Sequence, residues 1–197
     1  MESAIIGLVG VALGALLTVA RELWISHREK KKRAEYLAIR VTCILERYSS
    51  SCVEVAGDDG ERYGRDEQGC IRLESLPPEI CFENLDVDWH SLPSSLMYRV
   101  LNFPSHIEEA NGIISSVFEF VAFPPDYDEG VEERQFQYSK LGILAHELAS
   151  DLRNKYGMPV KEYENWNPID YMCETKSKIE HIRDERAKRH EEVLKHA

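Results

Sequence analysis

The chain has 197 residues, of which 43% are apolar and 30% charged, and its formal net charge is -11. That length is enough for an anchor and one domain of ordinary size with its own core, and the composition excludes wholesale disorder. The acidic balance excludes nucleic acid as a partner, because a phosphate backbone repels it.

The charge is unevenly spread. Residues 1–47 sum to about +3, residues 48–175 to about -16 and residues 176–197 to about +2. The basic stretch lies beside the first hydrophobic run, where it serves a membrane. Cys43, Cys52, Cys70, Cys81 and Cys173 are odd in number, irregular in spacing and without a C-x-x-C. That pattern argues against a disulfide framework and a zinc ribbon, and leaves reduced thiols in a cytoplasmic domain.

The first element is apolar on every face. AIIGLVGVALGALLTVA, from Ala4 to Ala20, carries no charge. About 17 residues at a 1.5 Å rise give roughly 25 Å of helix, near the lower limit for crossing a bilayer. Leu23, Trp24 and Ile25 lengthen the run if Arg21 snorkels to the headgroups. The expectation is a single transmembrane helix over residues 1–26, with the lipid bilayer as its partner. Trp24 then marks the interface, and Arg21, Arg28, Lys30, Lys31, Lys32 and Arg33 form the stop-transfer flank. A secretory signal would place its positive charge before the run, where Glu2 stands. A buried core helix fits poorly, because the run is apolar on every face and begins at the chain terminus. Basic residues stay on the cytoplasmic side, so the N-terminus is expected outside and the C-terminal domain inside, at a bacterial inner membrane.

Gly7, Gly10, Gly14 and Thr18 make a small-residue stripe along this helix. Gly10 and Gly14 form a G-x-x-x-G pair, which lets two helix backbones approach closely. The expectation is a homodimer or docking on another membrane protein. The alternative is that glycine is simply common in membrane helices.

Residues 27–52 read as a basic juxtamembrane region and the first cytoplasmic helix, with Leu37, Val41, Ile44, Leu45 and Tyr48 at helical spacing. Residues 53–92 read as an irregular acidic insert. GDDGERYGRDEQG is a loop or the tip of a short β-hairpin, with CVEV and CIRL as its two strands. Pro77-Pro78 stops any helix, and Trp89 supplies a core anchor.

Residues 93–182 read as a helical bundle. Pro93 opens a short helix that ends before Pro104. Ser105 and Glu108 match a capping box ahead of Ile107, Ala110, Ile113, Ile114, Val117, Phe118 and Val121. Pro124-Pro125 closes that helix. A long one from Gly130 to Tyr156 carries Phe136, Leu141, Leu144, Ala145, Leu148 and Leu152, and Gly157 and Pro159 stop it. Asn167 and Pro168 open the last helix, with Met172, Ile179 and Ile182 inward. Residues 183–197 read as a charged helical tail, solvated or, alternatively, bound to a partner. The expected fold is mainly α: a single transmembrane helix, then a four- to five-helix bundle with one irregular loop or short β-hairpin insert.

Chemical signatures are sparse. AHELASD begins like H-E-x-x-H, but Ser150 stands where the second histidine belongs, and Asp151 is about 500° round the helix from His146. No histidine follows a glutamate at the spacing used in di-iron bundles. Glu132 and Glu133 are carboxylates with no visible pocket. Phe123, Tyr127, Tyr163 and Trp166 lie in loops, as lids on the bundle or as binding anchors. No catalytic, cofactor-binding or metal residue is assigned, and no cofactor. The expected function is a non-enzymatic, membrane-tethered interaction or scaffold module. The alternative is a membrane-tethered enzyme, such as a metal-dependent hydrolase, with a site assembled from distant residues.

Overall fold

The computed structural model describes residues 2–61, 64–82, 85 and 87–196, the side chains of 2–13 and 196 excepted. Helix dominates. The order is α1 (Glu2–Ala56), a 3-10 turn (Trp89–Ser91), α2 (Ser94–Leu101), α3 (Phe103–Phe120), α4 (Asp128–Tyr156) and α5 (Pro168–His196).

The core grows from one stripe of α1. Leu37, Val41, Leu45, Tyr48, Cys52 and Val55 recur at steps of three and four and are all buried. That spacing sets them on one face of a helix, and burying each large apolar side chain contributes about 1.5–3 kcal/mol. The face opposite them belongs to α4, which supplies Tyr138, Leu141, Ala145, Leu148 and Leu152. The two helices run antiparallel. Ser49 Oγ donates to Gly142 O at 2.7 Å, and Arg153 Nε donates to Glu46 Oε1 at 2.6 Å. Gly142 leaves no room for a side chain: an added Cβ would lie 2.3 Å from Met172 Sδ on α5 and 3.0 Å from Cys52 Cβ on α1.

The remaining helices close the core. Phe103, at the start of α3, meets Tyr48 edge-on with ring centroids 5.2 Å apart. Ala110 and Ile114 continue that face. Asn167 Oδ1 accepts the Ile169 N–H at 3.0 Å and starts α5, ahead of Pro168. Gly157, in the left-handed region at φ 63°, ends α4. Between Gly57 and Leu92 the described residues are irregular apart from the 3-10 turn, yet they contribute to the interior, because Phe82 and Leu85 are buried and Phe82 meets Trp89 edge-on.

Two expectations are corrected, and a third, the membrane span, is not shown. The short β-hairpin does not form: CVEV continues α1 to Ala56, and among the described residues there is no strand, only an isolated bridge between Arg65 and Ile71. Helical propagation from an already long α1 adds one bond per residue, whereas a two-stranded hairpin has little to stabilise it. The capping box at Ser105 and Glu108 is not used. Helix α3 starts three residues earlier, at Phe103, which is buried, and Pro104 sits within its first turn, where no N–H is needed. As for the membrane span, among the described residues no helix is long and apolar enough to cross a membrane. Residues 4–13 of the expected span lie outside those whose side chains are described.

Candidate functional site

Helix α1 divides into two parts. From Ala34 onward it is threaded into the core, whereas residues 14–33 are exposed throughout. Leu16 and Leu17 are 66% and 71% exposed, and Val19, Leu23 and Trp24 are also open. The segment therefore projects from the domain as a bare helix.

The singled-out residues fall on this projection or before it. Gly7 and Gly10 lie outside the residues whose side chains are described. Gly14 is exposed with open space around it, and Thr18 Oγ1 donates to its carbonyl at 2.9 Å. The Arg28 guanidinium lies 5.6 Å from the centre of the Trp24 ring. Lys31 meets Glu35 at 3.8 Å and Arg33 meets Glu29 at 4.0 Å, both along the helix. Arg21, Lys30 and Lys32 are exposed as well. At these exposures such ion pairs contribute little to stability, so the cationic charge remains available.

The domain itself is tied together by buried charge. Asp58 Oδ2 accepts the Glu74 and Ser75 N–H groups at 3.0 and 2.8 Å, and Oδ1 accepts Gly60 N–H at 3.1 Å. Arg134 reaches Asp58 Oδ2 at 3.4 Å and also donates to the Ser75 carbonyl. Burial pushes the Asp58 carboxyl up, but the N–H groups of Ser75 and Gly60, the Arg134 charge and the Glu74 N–H outweigh it and hold the carboxyl below its ordinary value. Burial lowers Arg134, against the attraction of Asp58.

A second network joins α4 to α5. Arg183 reaches Glu132 at 3.0 Å and Glu133 at 2.7 Å, and Arg186 reaches Glu132 at 2.9 Å. The Arg183 guanidinium also lies 4.5 Å from the Phe136 ring centre. The start of the charged tail is thus bound to the bundle, and Glu132 and Glu133 are engaged there as structural carboxylates.

Between these networks lies a cleft of about 1010 Å³, lined by the end of α1, by Gly57, Asp59, Glu61, Arg65 and Ile71, by the start of α4 and by α5. Ile71, Tyr171 and Ile182 line it, and so do Asp59, Glu61, Asp128 and Glu174. Among the described residues no group of three or more His, Cys, Asp or Glu side chains is placed to hold a metal ion. His146 is not part of this cleft: it is half-buried on α4, with Nε2 3.4 Å from Ser150 Oγ. Burial lowers its ring, and Glu46 opposes that. The loop aromatics divide. Phe123 and Trp166 stay exposed, whereas Tyr127 and Tyr163 are half-buried, the latter beneath Lys161 at 5.3 Å. None of the five cysteines forms a disulfide, and burial pushes the Cys52 thiol up to about 12.

Compared with protein families, curated proteins and solved structures, the chain finds no match in any of the three.

Proposed function

We propose that the chain is a non-enzymatic, membrane-tethered interaction module: the N-terminal end of α1 enters a bilayer and the acidic bundle is displayed on the cytoplasmic side. One observation carries this reading. A single unbroken helix buries one face in the core over residues 34–56, yet exposes Leu16, Leu17, Val19, Leu23 and Trp24 along its projecting part. A contiguous apolar helix surface in water favours anything that covers it, and the apolar run continuing back to Ala4 suits lipid. The basic flank from Arg28 to Arg33 follows it, as a stop-transfer segment requires. Between Arg21 and Ala34 the helix rises roughly 20 Å, which would lift the acidic domain clear of anionic headgroups.

The test is fractionation of cells expressing the full chain, with alkaline washing of the membranes. The wild-type chain is expected to stay in the pellet, and Leu16→Glu with Leu17→Glu to release it. A wild-type chain found in the wash would end the anchor reading. A reporter fused after Ala197 is expected to behave as cytoplasmic; activity confined to the outer compartment would reverse the orientation.

A further inference from the structure

The cleft between α1, α4 and α5 is amphipathic. Its apolar part comes from the half-buried Ile71, Tyr171 and Ile182. Two of its cations are already engaged, Arg65 by Asp126 at 2.5 Å and Arg186 by Glu132 at 2.9 Å. Asp59, Glu61, Asp128 and Glu174 have no ion-pair partner among the described residues, and Lys178 is the remaining cation lining the cleft. The surplus is therefore negative.

The disposition of that charge matters as much as its sign. The carboxylates belong to three separate segments, and no three of them gather as a metal site would need. Negative charge spread round an apolar floor matches several cations spaced along a chain, not one ion. Ala56 and Gly57 place the cleft at the far end of α1 from the projecting segment, roughly 35 Å beyond Arg33 along the helix. A second copy anchored in the same membrane would hold its own basic flank at the wrong height to reach it.

We propose that this cleft docks a basic amphipathic helix of a partner protein, its apolar residues seated on Ile71, Tyr171 and Ile182 and its lysines and arginines facing Asp59, Glu61, Asp128 and Glu174. This rests on the reading of the domain as an interaction module and names the chemistry of its partner. Helix-in-groove recognition uses apolar anchors one turn apart, and a charged rim sets encounter rate and salt dependence.

The test uses the full chain in phosphatidylcholine nanodiscs, with empty nanodiscs subtracted. The probe is a fluorescein-labelled, 18-residue peptide of leucine and lysine in amphipathic helical order, compared with the same composition scrambled. Saturable one-to-one binding of the ordered peptide is expected, falling with salt. Glu61→Gln with Glu174→Gln is expected to weaken it about tenfold. Glu108→Gln with Glu119→Gln, an equal change of charge on α3, is expected to leave it unchanged. Equal binding of the scrambled peptide, equal weakening by both pairs, or no saturable binding would each overturn the proposal, as would full displacement by equimolar spermidine. Peptide binding by a chain that washes off membranes would remove the tether and leave the cleft standing. A chain that stays in the membrane and ignores the peptide would do the reverse.

Discussion

Asp58 and Arg134 are 76 residues apart in the chain and 3.4 Å apart in the fold, and both are buried. Their contact fixes the start of the irregular segment to α4. The same carboxylate gathers three backbone N–H groups, so one side chain organises both the turn after α1 and the return of the chain at Ser75. Removing one member of such a pair strands the other. Asp58→Asn is expected to cost about 3–5 kcal/mol, read as a lower urea midpoint in detergent. Asp58→Asn with Arg134→Met is expected to cost less than the sum of the two single changes. Additive losses would mean that the pair is not coupled.

Acid should destabilise the domain over two separate pH ranges. The folded His146 ring sits below its ordinary value because of burial. Its contribution is therefore complete above about pH 6.5 and is lost as pH falls through the lower folded value. The Asp58 carboxyl is also held below its ordinary value, so its contribution is complete above about pH 4 and fails only below that. Urea midpoints measured from pH 7 to pH 3 should fall in both ranges. His146→Gln should remove the first decline and leave the second. An unchanged first decline would assign it to another group.

Gly142 allows three helices to meet at one level. Gly142→Ala places a methyl against Met172 and Cys52 and is expected to cost about 1–3 kcal/mol through overpacking. Adding Met172→Ala should recover part of that loss, because the nearest clash is with a flexible side chain. Thermal unfolding of the four variants measures the coupling directly.

The small-residue stripe makes a separate prediction. Gly10→Leu with Gly14→Leu should reduce self-association in membranes while leaving insertion intact. A two-hybrid assay for membrane helices reads the first, and alkaline washing reads the second. Unchanged association would remove the stripe as a contact.

Much of the helical order was legible because local signals marked it. The apolar stripe of Leu37, Val41, Leu45 and Tyr48 foretold which face of α1 is inward, and Asn167-Pro168 and Gly157 stand at helix ends. What was not legible depended on contacts between distant residues. Asp58 looked like one more acid in a polar loop until Arg134 met it. Arg183 looked like the start of a solvated tail until Glu132 and Glu133 met it. CVEV has strand-forming residues, but α1 was already present to extend through them. The cleft is assembled from four segments and left no trace in any one of them.

The continuity of α1 has a mechanical consequence. Val41 follows Gly14, and Leu45 follows Thr18, each by 27 positions, about half a revolution at 100° per residue. The small-residue stripe and the core-building stripe therefore occupy opposite sides of one shaft, so two copies clasped through the first would carry their domains outward, free of collision. Helix α1 is unbroken from Glu2 to Ala56, so a twist or tilt imposed on the projecting segment would turn the bundle with it. Inserting a single residue between Lys30 and Arg33 would swing the domain by about 100°, whereas inserting seven would return it almost to its starting azimuth.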